Sequence, residues 1–327
     1  MKKRILTGIT TTGTPHIGNY IGAIRPAIEM TKDSDESFFF LADYHSIIKN
    51  QDSDSIKNSV KNVALAWLSS GLDPNKSYFY KQSDVPEIIE LCWILNCVTA
   101  KGLMNRAHAY KAATSINEND PDKGITMGLF SYPVLMAADI LMFDSTHVPV
   151  GSDQVQHLEM TRDIAIKFNN SFGEIFTIPE IEIDKSNDIV IGIDNQKMSK
   201  SYKNTIPIFA DNDTIKDQVM NIVTDSAGLN EPKDKHTPLF KIYSLFLNDE
   251  SKKELADRYD TPGLKYMEIK NELIETIISF FELQRSKREQ LLSNPDEVNQ
   301  KMILGQNKAK KIAQKTLQEV KSATGLL

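Results

Sequence analysis

Short apolar runs alternate with amphipathic, helix-period stretches through the first hundred residues, and this alternation restricts the fold more than any other feature. Residues 4–9 and 37–42 (SFFFLA) are near-continuous apolar runs, as strands covered on both faces are. Between them, residues 18–30 read as a helix that Pro26 kinks, because a proline cannot donate to the helical ladder. Residues 55–70 place Ile56, Val60, Val63, Ala64, Trp67 and Leu68 on one helical face. Gly71 suits the stop, and Asp73-Pro74 forbids continuation. A short strand at 77–81 precedes Asp84 and Glu87, which read as a capping-box start for a helix to Val98. Strand–helix repetition of this kind requires a parallel sheet with crossover helices, hence a doubly wound α/β domain.

Residues 102–123 read as a polar connection. A helix at 127–143, a strand at 146–150 and a helix at 153–168 follow, and residues 183–205 read as strand fragments and loop. After Pro207 the pattern is helical, near 214–223, 238–247, 251–259, 263–281 and 296–323. These stretches divide the chain into an α/β domain, 1–205, and an all-helical C-terminal domain, 206–327, in keeping with a length of 327 residues. With 40% hydrophobic and 25% charged residues the balance is that of a globular protein. No run approaches the ~18 apolar residues of a membrane span, and the start, MKKRILTGIT, lacks the apolar core of a signal peptide. Cys92 and Cys97 cannot build a disulfide framework and read as core, so a cytoplasmic location is expected. A net charge of -6 excludes a generally basic nucleic-acid binder and leaves only a local basic patch for that role.

The turn from the first strand into the first helix is Thr10-Thr11-Thr12-Gly13-Thr14-Pro15-His16-Ile17-Gly18-Asn19. Ligands of open parallel sheets bind beyond the carboxyl ends of the strands, and a helix N-terminus there offers free N–H groups to an anion. Gly13 and Gly18 permit close approach, and His16 and Asn19, three apart, can both donate to phosphate oxygens. Alone, the segment reads equally well as a Thr-rich cap with a surface histidine. A second candidate is Lys197-Met198-Ser199-Lys200-Ser201, two lysines around small hydroxyl residues in a polar stretch. Such a loop suits a triphosphate, although an isolated Lys/Ser pentamer is usually a solvated linker.

Together, HIGN after the first strand and KMSKS about 180 residues later resemble the paired signatures of class I aminoacyl-tRNA synthetases. Asn in the last position of the first motif is usual in the tryptophanyl subgroup. The resemblance extends over Gly18–Ala23, Asp43-Tyr44-His45, Tyr132-Pro133 with Met136-Ala137-Ala138-Asp139-Ile140-Leu141, and Val148-Pro149-Val150-Gly151-Ser152-Asp153-Gln154 with His157-Leu158-Glu159. It implies a Rossmann-like catalytic domain ending in the KMSKS loop, ATP as substrate with Mg²⁺ and no tightly bound protein metal, and L-tryptophan and tRNA(Trp) as the other substrates. A homodimer formed through the α/β domain is also implied, with no membrane association. A tyrosyl-specific enzyme is the nearest alternative, and the MAADIL stretch opposes it. A non-charging paralogue that binds tryptophan or nucleotide is the other, and two intact motifs oppose that.

Carried over residue by residue, the resemblance assigns His16, Asn19, Lys197 and Lys200 to catalysis. ATP falls to Thr10, Thr11, Thr12, Gly18, Asn19, Gly151, Ser152, Asp153, Ile189, Lys197, Met198, Ser199, Lys200 and Ser201. Tryptophan falls to Leu6, Gly8, His45, Tyr132, Met136, Asp139, Val148, Val150 and Gln154. Leu6 and Thr10 depart from the Phe and Gln common in bacterial members, and Thr10 has the shorter reach. Arg106 and Lys111 fall in a segment that lies over the active site in the family. Physics supports one assignment independently. Tyr132, Met136 and Asp139 share a helical face that is otherwise apolar, and a carboxylate there is costly unless something donates to it. An indole N–H is such a donor. An arginine partner or a turn cap would satisfy Asp139 equally well.

The six histidines (16, 45, 108, 147, 157 and 236) show no metal spacing, and His157 reads as structural. From Gln284 to Leu327, nine Lys/Arg (285, 287, 288, 301, 308, 310, 311, 315, 321) face four Asp/Glu (289, 296, 297, 319), a local +5. Met302, Gly305, Ala309, Ile312, Ala313, Thr316, Leu317 and Val320 form the buried stripe of that helix, with the lysines outward. The resemblance implies anticodon contact for this domain.

Overall fold

The computed structural model describes residues 2–11, 13–117, 120–151, 154–183 and 190–327. Five strands form one all-parallel sheet: β1 (Arg4–Ile9), β2 (Glu36–Leu41), β3 (Tyr78–Lys81), β4 (His147–Val150) and β5 (Glu180–Ile183). Their order across the sheet is β3-β2-β1-β4-β5, so the chain winds outward from β1 in both directions. Successive side chains of β2 enter opposite layers: Phe38 and Phe40 join one core, Phe39 and Leu41 the other. Burying such a side chain contributes about 1.5–3 kcal/mol. A strand that must fill two cores leaves no room for polar alternation, which is why β2 reads SFFFLA.

The helix expected at 18–30 is present but not uniform. A π-helical turn, Tyr20–Ile24, separates Ile17–Asn19 from Arg25–Met30. Pro26 has no N–H for the carbonyl one turn back, and the widened turn absorbs the missing bond. After a short helix, Asp43–Ile47, the helix Ser53–Ser69 ends as the sequence predicts, with Gly71 at φ 109°. The expected capping box at Asp84 does not form. Asp84 instead accepts from the Lys81 N–H and pairs with the Lys81 ammonium, and the helix Glu87–Val98 starts after Pro86. Two helices, Lys101–Met104 and His108–Ile116, occupy the stretch expected to be a connection. The helices Met127–Leu141 and Val155–Phe172 follow. Cys92 is half-buried and packs against the core, whereas Cys97, expected to be core, is exposed.

Beyond residue 206 the structure is helical, including a helix the sequence reading passed over, Glu282–Ser293. Much of this region, including Ile206, Ile208, Ile215, Ile277 and Phe281, shares a core with Ile17, Tyr20 and Trp67 of the first part. Expected beyond the boundary near 205, the last helix, Pro295–Thr324, instead returns to the sheet. Its Ala309, Ala313, Leu317 and Val320 join the core built from Phe38, Phe40 and Leu141, as the stripe predicts. Lys308 donates to the Asn75 carbonyl and Lys321 pairs with Glu90. No helix among the described residues is long and apolar enough to cross a membrane.

Gly305 is where this helix meets β3. A Cβ there would stand 1.9 Å from the carbonyl oxygen of Phe79, which is backbone and cannot turn aside. Gly305→Ala must therefore lift the helix off the strand. Overpacking of this kind should cost about 3 kcal/mol of unfolding free energy, read from urea midpoints. A cost below about 1 kcal/mol would show that the helix can slide along the sheet.

Candidate active site

The turn after β1 is clamped from two sides. Ile17 N–H donates to the Ile206 carbonyl (3.0 Å), and Ile208 N–H donates to the Pro15 carbonyl (3.4 Å). His16 N–H donates to Asn19 Oδ1 (3.1 Å), so the asparagine oxygen is turned back to cap its own helix. His16 is buried at 6% exposure, and its Nδ1 finds no partner among the described residues. Burial, and then the charge of Lys200, push its pKa down from 6.5 to about 4, so the imidazole is neutral near pH 7.

The second motif lies directly over this turn. Ile191 and Lys197 face each other across a tight hairpin, in which Gly192 N–H donates to the Gln196 carbonyl (2.7 Å). Buried Asn204 organises the loop: its Oδ1 accepts from Ser199 N–H (2.7 Å), and its Nδ2 donates to Asp194 Oδ1 (2.7 Å) and the Lys197 carbonyl (3.0 Å). A Cβ on Gly192 would fall 2.3 Å from Asn204 Nδ2, so that position requires glycine. Gly18 N–H meets Met198 Sδ at 3.3 Å. Gly13, at φ 57°, faces the Lys200 ammonium, which a Cβ would approach to 3.2 Å. The glycines that the sequence reserves for a ligand thus admit the protein's own loop. Burial lowers the pKa of Lys200.

At the carboxyl ends of the strands lies a cavity of about 790 Å³, ample for a small-molecule ligand. Leu6, Gly8, His45, Tyr132, Met136, Asp139, Val148, Val150 and Gln154 all line it, the full set expected around the amino acid. Thr10, Thr11, Gly151 and Lys200 line it too. His16, Gly18, Asn19, Lys197, Met198, Ser199 and Ser201 do not, although Lys200 links their loop to the cavity. Thr12, Ser152, Asp153 and Ile189 lie outside the described residues. Arg106 and Lys111 are not on the wall, but Ala109 of the same segment is.

Asp139 is 1% exposed, and burial raises its pKa. Its donors are protein groups. Gln82 Nε2 reaches Oδ1 at 2.8 Å and Oδ2 at 2.9 Å, and His45 Nε2 lies 2.9 Å from Oδ2. Gln82 was not singled out from the sequence. It follows β3 in the same way that His45 follows β2, and the rule that ligands gather at strand ends would have found it. Tyr132 Oη lies 2.6 Å from His157 Nε2, so His157 fixes a group on the cavity wall. Thr11 Oγ1 is hydrogen-bonded to Ser46 Oγ, holding the turns after β1 and β2 together. Ser46, Lys49, Asn50 and Ser59 also line the cavity and were likewise unmarked in the sequence.

An outward-wound parallel sheet, with a glycine turn after β1 covered by a lysine loop, defines a nucleotide-binding α/β enzyme fold. Residues 1–282 match the family of class I tRNA synthetases (W and Y), and the chain belongs to that family. It is 48% identical to the tryptophan–tRNA ligase of Neisseria meningitidis over 99% of this chain and 98% of that one. Its identity to the tryptophan–tRNA ligase of Pseudomonas aeruginosa is 49%, covering 100% of this chain and 74% of that one. The tryptophanyl-tRNA synthetase of Campylobacter jejuni, solved with ADP and tryptophan, superposes with a TM-score of 0.91 at 45% identity over 98% of this chain and 99% of that one.

The neutrality of His16 has a measurable consequence. A histidine at about 4 in the fold and 6.5 when unfolded takes its proton earlier in the unfolded chain. Its contribution to stability is full above about pH 6.5 and falls as pH drops toward 4, by about 3 kcal/mol in all. His16→Gln should remove that increment from the acid limb of the stability curve, measured by denaturant unfolding at each pH. Parallel wild-type and variant curves would show that His16 titrates normally.

Proposed function

We propose that the chain activates L-tryptophan with ATP and transfers the amino acid to tRNA(Trp). The observation that carries this reading is Asp139. It is a buried acceptor on a cavity wall otherwise lined by Leu6, Met136, Val148 and Val150, so the ligand it suits has an apolar ring bearing an N–H. Tyr132, Gln154 and His45 line the same cavity, and by resemblance the first two would hold the substrate amino group. The high identity to tryptophan–tRNA ligases over the whole chain supports the same substrate.

ATP would enter over the turn after β1. Its ribose falls by resemblance to Gly151, Ser152 and Asp153, its remaining contacts to Thr10, Thr11, Thr12, Gly18 and Ile189, and its phosphates to His16, Asn19 and residues 197–201. In the first step a tryptophan carboxylate oxygen bonds to the α-phosphorus as the bond to pyrophosphate breaks. In the second, a ribose hydroxyl of the terminal adenosine attacks the acyl carbon and AMP leaves. The substrate supplies the nucleophile, so the protein's part is positioning and charge stabilisation. Neutral His16 would donate a hydrogen bond, and Lys200 would meet the charge developing on pyrophosphate. Mg²⁺ fits as an ion carried by the phosphates, with oxygen ligands and water. Among the described residues no cluster of three His, Cys, Asp or Glu would hold it directly.

We read residues 1–205 as the catalytic unit and 206–327 as the tRNA-contacting unit, and place the protein in the cytoplasm. A homodimer accounts for an apolar face beside the cavity. Ile47 and Ile89, both exposed, line a second hollow of about 360 Å³, with Trp93 one helical turn from Ile89. Contiguous exposed apolar residues of this kind mark an association surface.

ATP–pyrophosphate exchange measured with each proteinogenic amino acid tests the assignment, and tryptophan alone should support it. Lys200→Ala should bind tryptophan and slow adenylate formation by about 2.7–4 kcal/mol, the usual cost of one preorganised electrostatic partner. Pre-steady-state adenylate formation within about threefold of wild type would remove Lys200 from the mechanism. On the tRNA side, reversing the charge of Lys310 and Lys311 should weaken binding and flatten its salt dependence by about 0.7–0.9 for each phosphate no longer neutralised. An unchanged slope in filter binding would make them merely solvated.

A further inference from the structure

Gln82 is fully buried, and the two ends of its amide are not interchangeable. Its Oε1 accepts the Tyr44 N–H at 3.2 Å. A backbone N–H only donates, so the amide oxygen must face Tyr44 and the amide nitrogen must face Asp139. The orientation is thus fixed by the backbone at the start of the helix Asp43–Ile47, whose next residue, His45, donates to the same carboxylate. Asp43 extends the link in the other direction, accepting from the Ser83 N–H and the Ser83 hydroxyl. The turns after β2 and β3 are stitched together around Asp139.

We infer that Gln82 is a positioning residue for substrate selection: locked by the Tyr44 N–H, it bridges both oxygens of Asp139 and keeps that group an acceptor toward the cavity. The inference rests on the reading of Asp139 as the group that meets the indole. A carboxylate offers about four lone-pair positions. Gln82 takes one on each oxygen and His45 a second on Oδ2, which leaves one on Oδ1. A protonated Asp139 would instead present an O–H and could donate to a ring sulfur or oxygen, blurring the choice of an N–H. Burial raises the pKa of this carboxyl, and the hydrogen bonds from His45 and Gln82 oppose the rise. The other ionisable groups facing it are Asp43, which raises it further, and Tyr80 and Cys92, whose own protons its charge helps to retain.

The test is pyrophosphate exchange measured across a range of pH. Wild type, Gln82→Leu, Gln82→Glu and Asp139→Ala are compared with tryptophan and with its benzothiophene analogue, whose ring has sulfur in place of the N–H. In Gln82→Leu, kcat/KM for tryptophan should fall as pH drops, with the loss in KM. Its preference for tryptophan over the analogue should shrink by about tenfold or more, as expected when a buried hydrogen-bonded group loses its donor. In Gln82→Glu the two carboxyls share one proton at low pH and repel each other once both ionise. Its kcat/KM should therefore fall as pH rises, the opposite sign. A role in folding alone would depress both variants alike at every pH. Profiles parallel to wild type in both variants, with the tryptophan-to-analogue ratio unchanged, would overturn the inference. Should Gln82→Leu not fold, the near-isosteric Gln82→Glu decides by the same two readouts. Asp139→Ala separates the two levels of the reading. An unchanged ratio there removes Asp139 as the indole reader, and the inference with it. A collapsed ratio there with intact ratios in the Gln82 variants removes Gln82 alone.

Discussion

The contact of Gly18 with Met198 spans 180 residues of chain, and the upper half of the cavity is arranged around it. It exists because three elements have no freedom at that point. Gly18 leaves no side chain between its amide and the sulfur. Residues 206–208 hold the turn after β1 by backbone hydrogen bonds. Asn204 holds the loop carrying Met198 by three more. Once the loop is seated, Lys200 must lie against Gly13 at the rim of the cavity.

Legibility in the sequence followed the amount of buried surface. β1 and β2 were visible because both faces of each are covered. β5, with the pattern EIEI, was not, because an edge strand of four residues gives too short a signal. The helix His108–Ile116 has no buried residue, and its stripe of Ala109, Ala113 and Ile116 is too short and small-sided to stand out among polar neighbours. In Glu282–Ser293 only Leu291 is buried, and that helix was missed for the same reason. The seat of the last helix was harder still. Its apolar stripe was legible, but the surface it covers was not, since helical periodicity records that a face is buried and not against what.

The candidate site divides along a different line. Asp139 stood out because a charge interrupts an apolar run, and it lies on the cavity wall. Its partner Gln82 did not stand out, because an uncharged amide after a short strand breaks no pattern. The two lie 57 residues apart on different elements, and only the fold brings them within 2.8 Å. Asn204 escaped notice in the same way. Both are neutral amides, one holding a buried carboxylate and the other a lysine-bearing loop. Sequence patterns expose the residue with the large electrostatic cost and conceal the one that offsets it.

The two ends of the cavity meet opposite versions of one problem. At the amino-acid end a buried anion is retained by neutral and histidine donors, so its cost is met inside the protein before any ligand arrives. Beneath the lysine loop the buried group is instead a cation. Lys200 is disfavoured in its charged form by burial, and its charge in turn disfavours protonation of His16. An anion bound there would attract the Lys200 ammonium and give the neutral imidazole an acceptor. By linkage, whatever free energy the anion returns to the seated loop, the seated loop returns to anion affinity. The loop therefore adds most to binding when the anionic charge it faces is greatest.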